Sequence, residues 1–369
     1  GADVRSHFEL KYANVVIPSP DFEWVAFNEL YNAFVAPFPK TGGSVDLNKS
    51  TKAIPIKRVT RDLGTDVHWS ADSQSLHWMV GPEYFTRELR DAFKFVDGAP
   101  AELPAIDTTG VPVGLWLDSD QPEGTTAITG ARIVTMNGDE VIEGGTVVVR
   151  GNRIEAVGSA DDVEVPTGAT IVEADGKTIV PGFVDAHAHA GHFFSGPTPQ
   201  RNWMYSANLA FGVTTAHDPS ANTETVFTLA EMVRAGNVIG PRIFSTGTIL
   251  YGADGDFKAT VDSLGDARSH VRRMKAVGAI SVKSYNQPRR EQRQQVLQAA
   301  REQEIMVVPE GGSTYNHNIT MIVDGHTGIE HNVPIAPLYR DVMELWRHSG
   351  TGYTPTLVVL YAGPSGERW

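Results

Sequence analysis

The chain of 369 residues contains no cysteine, which excludes a disulfide framework, a thiolate nucleophile and a thiolate metal site. No apolar run approaches the roughly 18 residues of a transmembrane helix. Positive charge is scarce: 31 Lys and Arg stand against 44 Asp and Glu, for a net charge of -13. That balance argues against nucleic acid or an anionic membrane surface as a partner. The opening residues, GADVRSHFEL, show no basic segment followed by an apolar one, so a secretion signal is either absent or lies outside this stretch. What is present is globular in texture, with 41% hydrophobic residues, and long enough for two or three domains with their own cores.

Residues 1–98 read as short β-strands punctuated by turns. Two segments there resemble each other, SPDFEWVAF from Ser19 and SADSQSLHW from Ser70. Each sets Ser-x-Asp in a turn ahead of an apolar strand, and their separation is close to the roughly 40–50-residue period of a propeller blade. A propeller closes with about four blades or more, so two copies predict part of one, or a chance repeat. Residues 99–126 are rich in Pro, Gly and Asp and read as a linker. Residues 127–178 open with AITGARIVTMNGDEVIEGGTVVVRGNRIEAVG, three strands separated by Gly-Asp, Gly-Gly and Gly-Asn turns, the pattern of a small β-sandwich domain. Its glycines serve hairpins; no helix follows them as a dinucleotide fingerprint requires.

From residue 179 to 369 the pattern alternates. Strand candidates are TIVPGFVD, GVTTAHD, PRIFSTG, AISVKSY, IMVVPEG, TGIEHN and GYTPTLVVL. Helical stretches such as WMYSANLAFG, TETVFTLAEMVRAG, DARSHVRRMKAVG and REQRQQVLQAAREQE separate most of them. Alternation of this kind means parallel strands with crossover helices. Seven such strands with polar C-terminal ends predict a (β/α)8 TIM-type barrel, with an open doubly wound sheet as the alternative.

The densest chemistry lies in PGFVDAHAHAGHFF, which begins at Pro181 and holds His187, His189 and His192 out of 12 histidines in all. Residues two apart on a strand share a face, so His187 and His189 point the same way at the barrel mouth, with Asp185 in the same parity. Two such imidazoles can bind one divalent ion at about 2.0–2.1 Å, although an isolated His-x-His is more often accidental. Other strand ends add to the cluster: His217 and Asp218 in TTAHD, Lys283 in SVKSY, Glu310 in VVPEGG and His331 in GIEHN. A lysine in such a position would ordinarily reach for water. His192, Tyr285 and Asn286 are candidates for substrate hydrogen bonds or ordinary polar residues of the mouth. His326 reads as a turn residue, and His7, His68, His77, His270 and His348 as surface or packing residues.

PGFVDAHAHAG after a β meander, a lysine at the fourth strand and a histidine at the sixth resemble the metal-dependent amidohydrolase superfamily, over residues 127–369. GVTTAHDPS and DGHTGIEHNVP resemble its imidazolonepropionase-like branch, in a form that carries a TolB-like β-propeller ahead of the barrel. The resemblance implies one or two divalent metal ions, zinc first among them, held by His187, His189, Lys283, Glu310 and His331. It implies a carboxylated Lys283, catalytic roles for Lys283 and His331, and substrate contacts from His217, His192 and Tyr285. Two departures stand out. The fifth strand lacks the family's histidine, leaving Glu310 or His317 to replace it. The family's eighth strand and its aspartate have no counterpart before Trp369, so the chain reads as part of a longer protein.

The activity implied is hydrolysis of amide-like or cyclic C–N bonds in a small-molecule or short-peptide substrate. The alternatives are an organophosphate or lactone hydrolase with the same metal centre, or a non-catalytic propeller–barrel binding module. The resemblance further implies a periplasmic or secreted location, no membrane span, and room for a homo-oligomer.

Overall fold

The structure, a computed structural model, describes residues 5–13, 15–192, 201–253, 259–312, 314–334 and 337–356. Near its start the two Ser-x-Asp segments fold alike. Ser19 Oγ donates to Asp21 Oδ1 at 2.5 Å and accepts from Trp24 N at 2.9 Å. Ser70 Oγ donates to Asp72 Oδ1 at 2.5 Å and accepts from Ser75 N at 2.9 Å. One hydroxyl therefore closes each turn from both sides.

Around these turns lie two antiparallel sheets of four strands. One holds Val16–Pro18, Trp24–Glu29, Asn32–Pro37 and Lys57–Arg58; the other holds Thr65–Trp69, Ser75–Val80, Glu83–Glu88 and Val111–Pro112. Ala26, Val35, Val67, Leu76, Trp78 and Phe85 join in one apolar cluster. Two four-stranded sheets do not make a closed propeller.

The meander forms as its turn residues predict. Thr125–Val134, Val141–Arg150 and Arg153–Ser159 pair antiparallel, and Thr170–Glu173 adds in parallel to the first. TIVPGFVD is not one strand. Thr178–Ile179 pairs with Arg132 and Ile133 of the meander; beyond Pro181 and Gly182, only Phe183–Asp185 enters the next sheet.

The alternation then runs as the sequence predicts. Its strands are β1 (Phe183–Asp185), β2 (Val213–Asp218), β3 (Arg242–Ser245), β4 (Ser281–Ser284), β5 (Met306–Pro309), β6 (Gly328–Glu330) and β7 (Gly352–Thr354). Between them run α1 (Trp203–Ala210), α2 (Thr223–Ala235), α3 (Leu264–Ala276), α4 (Arg290–Gln303), α5 (Tyr315–Asp324) and α6 (Arg340–Ser349). β1 pairs with β2, β4 with β5 and β6 with β7, all in parallel, and a parallel bridge between Glu310 and Glu330 joins β5 to β6. The LVVL end of the predicted seventh strand lies outside the described residues.

Two compact units result, one of residues 1–116, 218–227 and 244–369, the other of residues 117–217 and 228–243. In the first, α3 buries Ala267, His270, Val271 and Met274, the i, i+3, i+4, i+7 stripe of an amphipathic helix. That face meets Leu250, Val282, Val296 and Val307 from the neighbouring strands and α4. α3 also touches the N-terminal sheets: Asp62 accepts from Arg272 Nη2 at 2.7 Å, and the Arg273 guanidinium lies 3.7 Å from the centre of the Tyr31 ring. Arg273 Nε donates to His270 Nδ1 at 3.0 Å, and the opposite ring nitrogen of His270 lies 2.9 Å from the Thr260 carbonyl oxygen. A neutral ring protonated on Nε2 satisfies both contacts.

Burial, with the Arg273 charge added, drives His270 down from 6.5 to about 3. Burial likewise takes His326 from 6.5 to about 4. Between those values and 6.5 the unfolded chain binds more protons than the folded one, so stability should decline steadily as pH falls from about 7 to about 4. Urea midpoints measured across that range should fall, and His270→Gln, which keeps an acceptor for Arg273, should flatten the slope. A midpoint indifferent to pH would contradict this account.

Candidate active site

Lys283 lies on β4 opposite Val308 of β5. Glu310, two residues past Val308, keeps the same parity and so the same face. Lys283 Nζ reaches Glu310 Oε2 at 2.7 Å, although the lysine side chain is only 2% exposed. The other carboxylate oxygen, Oε1, lies 2.9 Å from His331 Nε2. His331 Nδ1 is 2.8 Å from Thr356 Oγ1. A neutral imidazole donating from Nε2 to Glu310 and accepting from the Thr356 hydroxyl fits both contacts.

Backbone conformation makes this convergence possible. Glu310 bridges to Glu330, so a regular strand would turn the next residue, His331, to the opposite face. His331 instead adopts a left-handed φ of 67°, which ends the alternation, and its ring meets Glu310. Non-glycine residues in this region store strain of about 1–3 kcal/mol and persist where surrounding contacts impose it. Gly311 allows the close approach: a Cβ there would collide with the Glu330 carbonyl oxygen and crowd Asn318 Oδ1.

Burial acts to raise the Glu310 carboxyl, but the hydrogen bond from His331 and the charge of Lys283 outweigh it and bring the group down to about 2. Glu310 is therefore an anion at any physiological pH. Nearby, burial and then the Glu310 charge hold the Tyr285 hydroxyl above its ordinary range. Tyr251 meets the Tyr285 ring edge-on, with centroids 5.4 Å apart.

The histidine-rich segment lies in the other compact unit. Asp185 Oδ1 accepts from His187 N at 3.1 Å, fixing the turn that follows β1. The His187 and His189 rings lie 5.1 Å apart at 84°. Ala188 N donates to the His217 carbonyl oxygen at 2.9 Å, and His217 Nδ1 is 3.2 Å from the Ala186 carbonyl oxygen. This two-way contact sets the ends of β1 and β2 side by side. Gly182 is required at the start of β1, because any Cβ there would strike the Thr214 side chain. His192 is buried, with Nδ1 2.6 Å from Tyr205 Oη.

The structure thus brings Lys283, Glu310 and His331 together, with Tyr285 beside Glu310, and separately brings His187, His189 and His217 to adjoining strand ends. His317 lies on α5, where Arg293 Nη1 sits 2.8 Å from its Nδ1; guanidinium is always the donor, so that nitrogen is committed to helix packing. Among the described residues no three His, Asp or Glu side chains form a ready metal cage. Tyr251 and Thr356 were not foreseen in the sequence. Tyr251 ends a two-residue strand, Leu250–Tyr251, that pairs in parallel with Ser284 of β4, and Thr356 lies two residues past the end of β7.

No family model matches the chain. A stretch of 93 residues is 36% identical to the adenine deaminase of Paracoccus denitrificans strain Pd 1222, covering 25% of this chain and 15% of that protein. Another of 84 residues is 32% identical to the imidazolonepropionase of Bacillus mycoides strain KBAB4, covering 23% of this chain and 19% of that protein. The chain therefore matches less than a fifth of each of these relatives. The solved structures of a Xaa-Pro dipeptidase with bound methionine and of phenylurea hydrolase B each superimpose with a TM-score of 0.52 at 20% identity. They cover 63% and 62% of this chain, and 67% and 64% of their own. The chain has the fold of these amidohydrolase-like structures over that share of its length.

Removing one partner of a buried ion pair leaves the other charge uncompensated, at a cost of about 3 kcal/mol. Glu310→Gln should lose roughly that much in urea unfolding, by stranding Lys283. The Lys283→Met/Glu310→Gln double variant should recover most of the loss. Equal losses in the two proteins would show that the pair contributes no coupling.

Proposed function

We propose that the protein is a metal-dependent hydrolase of the amidohydrolase type, acting on amide-like or cyclic C–N bonds. The observation that carries this reading is Lys283, a lysine 2% exposed at a parallel strand end, set against Glu310 and His331 from the next two strands. Burying a cation costs several kcal/mol before pairing, and a barrel that needed only packing would hold an apolar residue there. The relatives support the reading, since those named for adenine, imidazolonepropionate and Xaa-Pro dipeptides concern nitrogen-containing compounds.

The donor chemistry fits a divalent ion in one form of Lys283. As an ammonium it balances Glu310 and offers no lone pair. As a carbamate it becomes an anion beside a second anion, an arrangement that calls for a cation between them. In this reading Lys283 as carbamate and Glu310 supply oxygens and His331 an imidazole nitrogen, a mixed set suited to zinc; His187 and His189 are the candidate ligands of the other unit. Such an ion, when bound, polarises a substrate carbonyl and brings the pKa of water to about 7.

The remaining roles belong to the chain. For His331 to offer Nε2 as a ligand its proton would sit on Nδ1, donated to Thr356 Oγ1, and the protonated Tyr285 hydroxyl donates to a substrate oxygen. His217 and His192 complete the candidate substrate contacts. The same proposal takes residues 1–98 as a partial propeller, 127–178 as the small β domain and 179–369 as the barrel.

Elemental mass spectrometry of the purified protein tests the reading, alongside a His187→Ala/His189→Ala double variant. About one or two zinc equivalents per chain are expected after incubation with zinc and dialysis, and are lost in the variant. Hydrolysis of dipeptide and cyclic-amide substrates should be lost with them. Two metal-free proteins would defeat the proposal.

A further inference from the structure

Asn137 alone among the asparagines of the chain is followed by glycine. Asparagine is one of the chemically labile residues. The pair stands in the turn between the strands Thr125–Val134 and Val141–Arg150. Residues 136–140 are all exposed, and Met136, before the pair, has a left-handed φ of 61°. Gly138 has a φ of 62°, and a Cβ placed on it would meet nothing within 4 Å. Glycine serves the turn there through its conformational freedom, not by admitting a neighbour.

This turn is loosely tied. Thr135 N donates to the Glu140 carbonyl oxygen and Glu140 N to the Asn137 carbonyl oxygen, each at 3.4 Å, longer than the usual range of about 2.7–3.2 Å. Thr135 Oγ1 accepts from Asn137 N at 3.2 Å and donates to Glu140 Oε2 at 2.7 Å. Neither the Asn137 side-chain amide nor Gly138 N has a hydrogen-bond partner among the described residues. The side-chain carbonyl carbon and the next backbone nitrogen are thus uncommitted neighbours, with no side chain on the second residue to hinder their approach. Asn152, in the following turn, is the contrast. It is exposed as well, but its successor Arg153 carries a side chain and begins the strand that pairs with Val141–Arg150.

We propose that Asn137 is a site of spontaneous deamidation. Gly138 N attacks Asn137 Cγ and closes a succinimide ring, while the side-chain amide nitrogen leaves as ammonia and takes the backbone proton with it. Water then opens the ring. Opening at Cγ gives aspartate; opening at the backbone carbonyl leaves the main chain running through the side chain, as isoaspartate. The net change is amide plus water to carboxylic acid plus ammonia, and the ionised product makes the charge of -13 one unit more negative. The new carboxylate joins Asp139 and Glu140 in the same turn. In the isoaspartate form the backbone there is one methylene longer. The site uses none of Lys283, Glu310 and His331.

The test incubates the whole chain in warm, mildly alkaline water enriched in oxygen-18, beside a free peptide of residues 134–141, and reads both by peptide mass mapping. Asn137 should convert in the whole chain at a rate within about tenfold of the peptide's, with one heavy oxygen in each product. Asn152 should stay intact over the same period. Asn137→Gln, an exposed change whose longer side chain would have to close a larger ring, should lose the conversion and keep the fold. A whole chain slower than the peptide by more than that tenfold overturns the proposal, because the turn then holds the two groups apart. It is overturned equally if the modification falls on other asparagines and persists in Asn137→Gln, or if the products carry no heavy oxygen.

Discussion

A lysine ammonium shut away from water must meet an anion or give up its proton. At Lys283 the anion is Glu310, and much of the local backbone follows from that requirement. Glu310 must stand two residues beyond the register partner of Lys283. The chain after it must pass close to Glu330, so that only glycine fits at Gly311. His331 must leave the β alternation through a left-handed φ to bring its ring to the second carboxylate oxygen. Thr356, after β7, then satisfies the far nitrogen of that ring. Four consecutive strand ends are coupled through one carboxylate.

The same rule of buried charge operates at α3 with a different solution. Arg273 is compensated by the face of Tyr31 and by a neutral imidazole rather than by an anion of its own. The nearest carboxylate, Asp62, is held by Arg272 and Arg61. The first cluster closes its hydrogen bonds around a carboxylate. The second leaves one donor, Arg273 Nη2, buried without a hydrogen-bond partner among the described residues.

Much of the architecture was legible in the sequence because it rests on short-range rules. Strand–helix alternation predicted β1 to β7, and the Gly-containing turns predicted the meander. The Ser-x-Asp repeat predicted two turns that prove alike atom for atom. Where the reading failed, a local pattern met a competing partner. TIVPGFVD looks continuous, yet Pro181 and Gly182 divide it, and the meander captures its first half through Arg132 and Ile133. The sequence reading did not single out α5 and α6, although RDVMELWRHS carries a strong amphipathic stripe.

The sequence by itself determined which residue types stand at which strand ends, because a period of two and a run of turns are written in neighbouring positions. It therefore named Lys283, Glu310, His331, His187 and His189. Only the tertiary structure decided what those residues do to one another. It set Glu310 rather than His317 against Lys283, turned His331 through a left-handed bend, and supplied Tyr251 from the short strand Leu250–Tyr251 and Thr356 from just past β7. It also buried Arg273, which nothing in the sequence singles out, and His270, which reads as a surface or packing residue. The physical reason is that burial and pairing are properties of segments far apart in the chain, and a charge has its energy set by what surrounds it rather than by its neighbours in sequence.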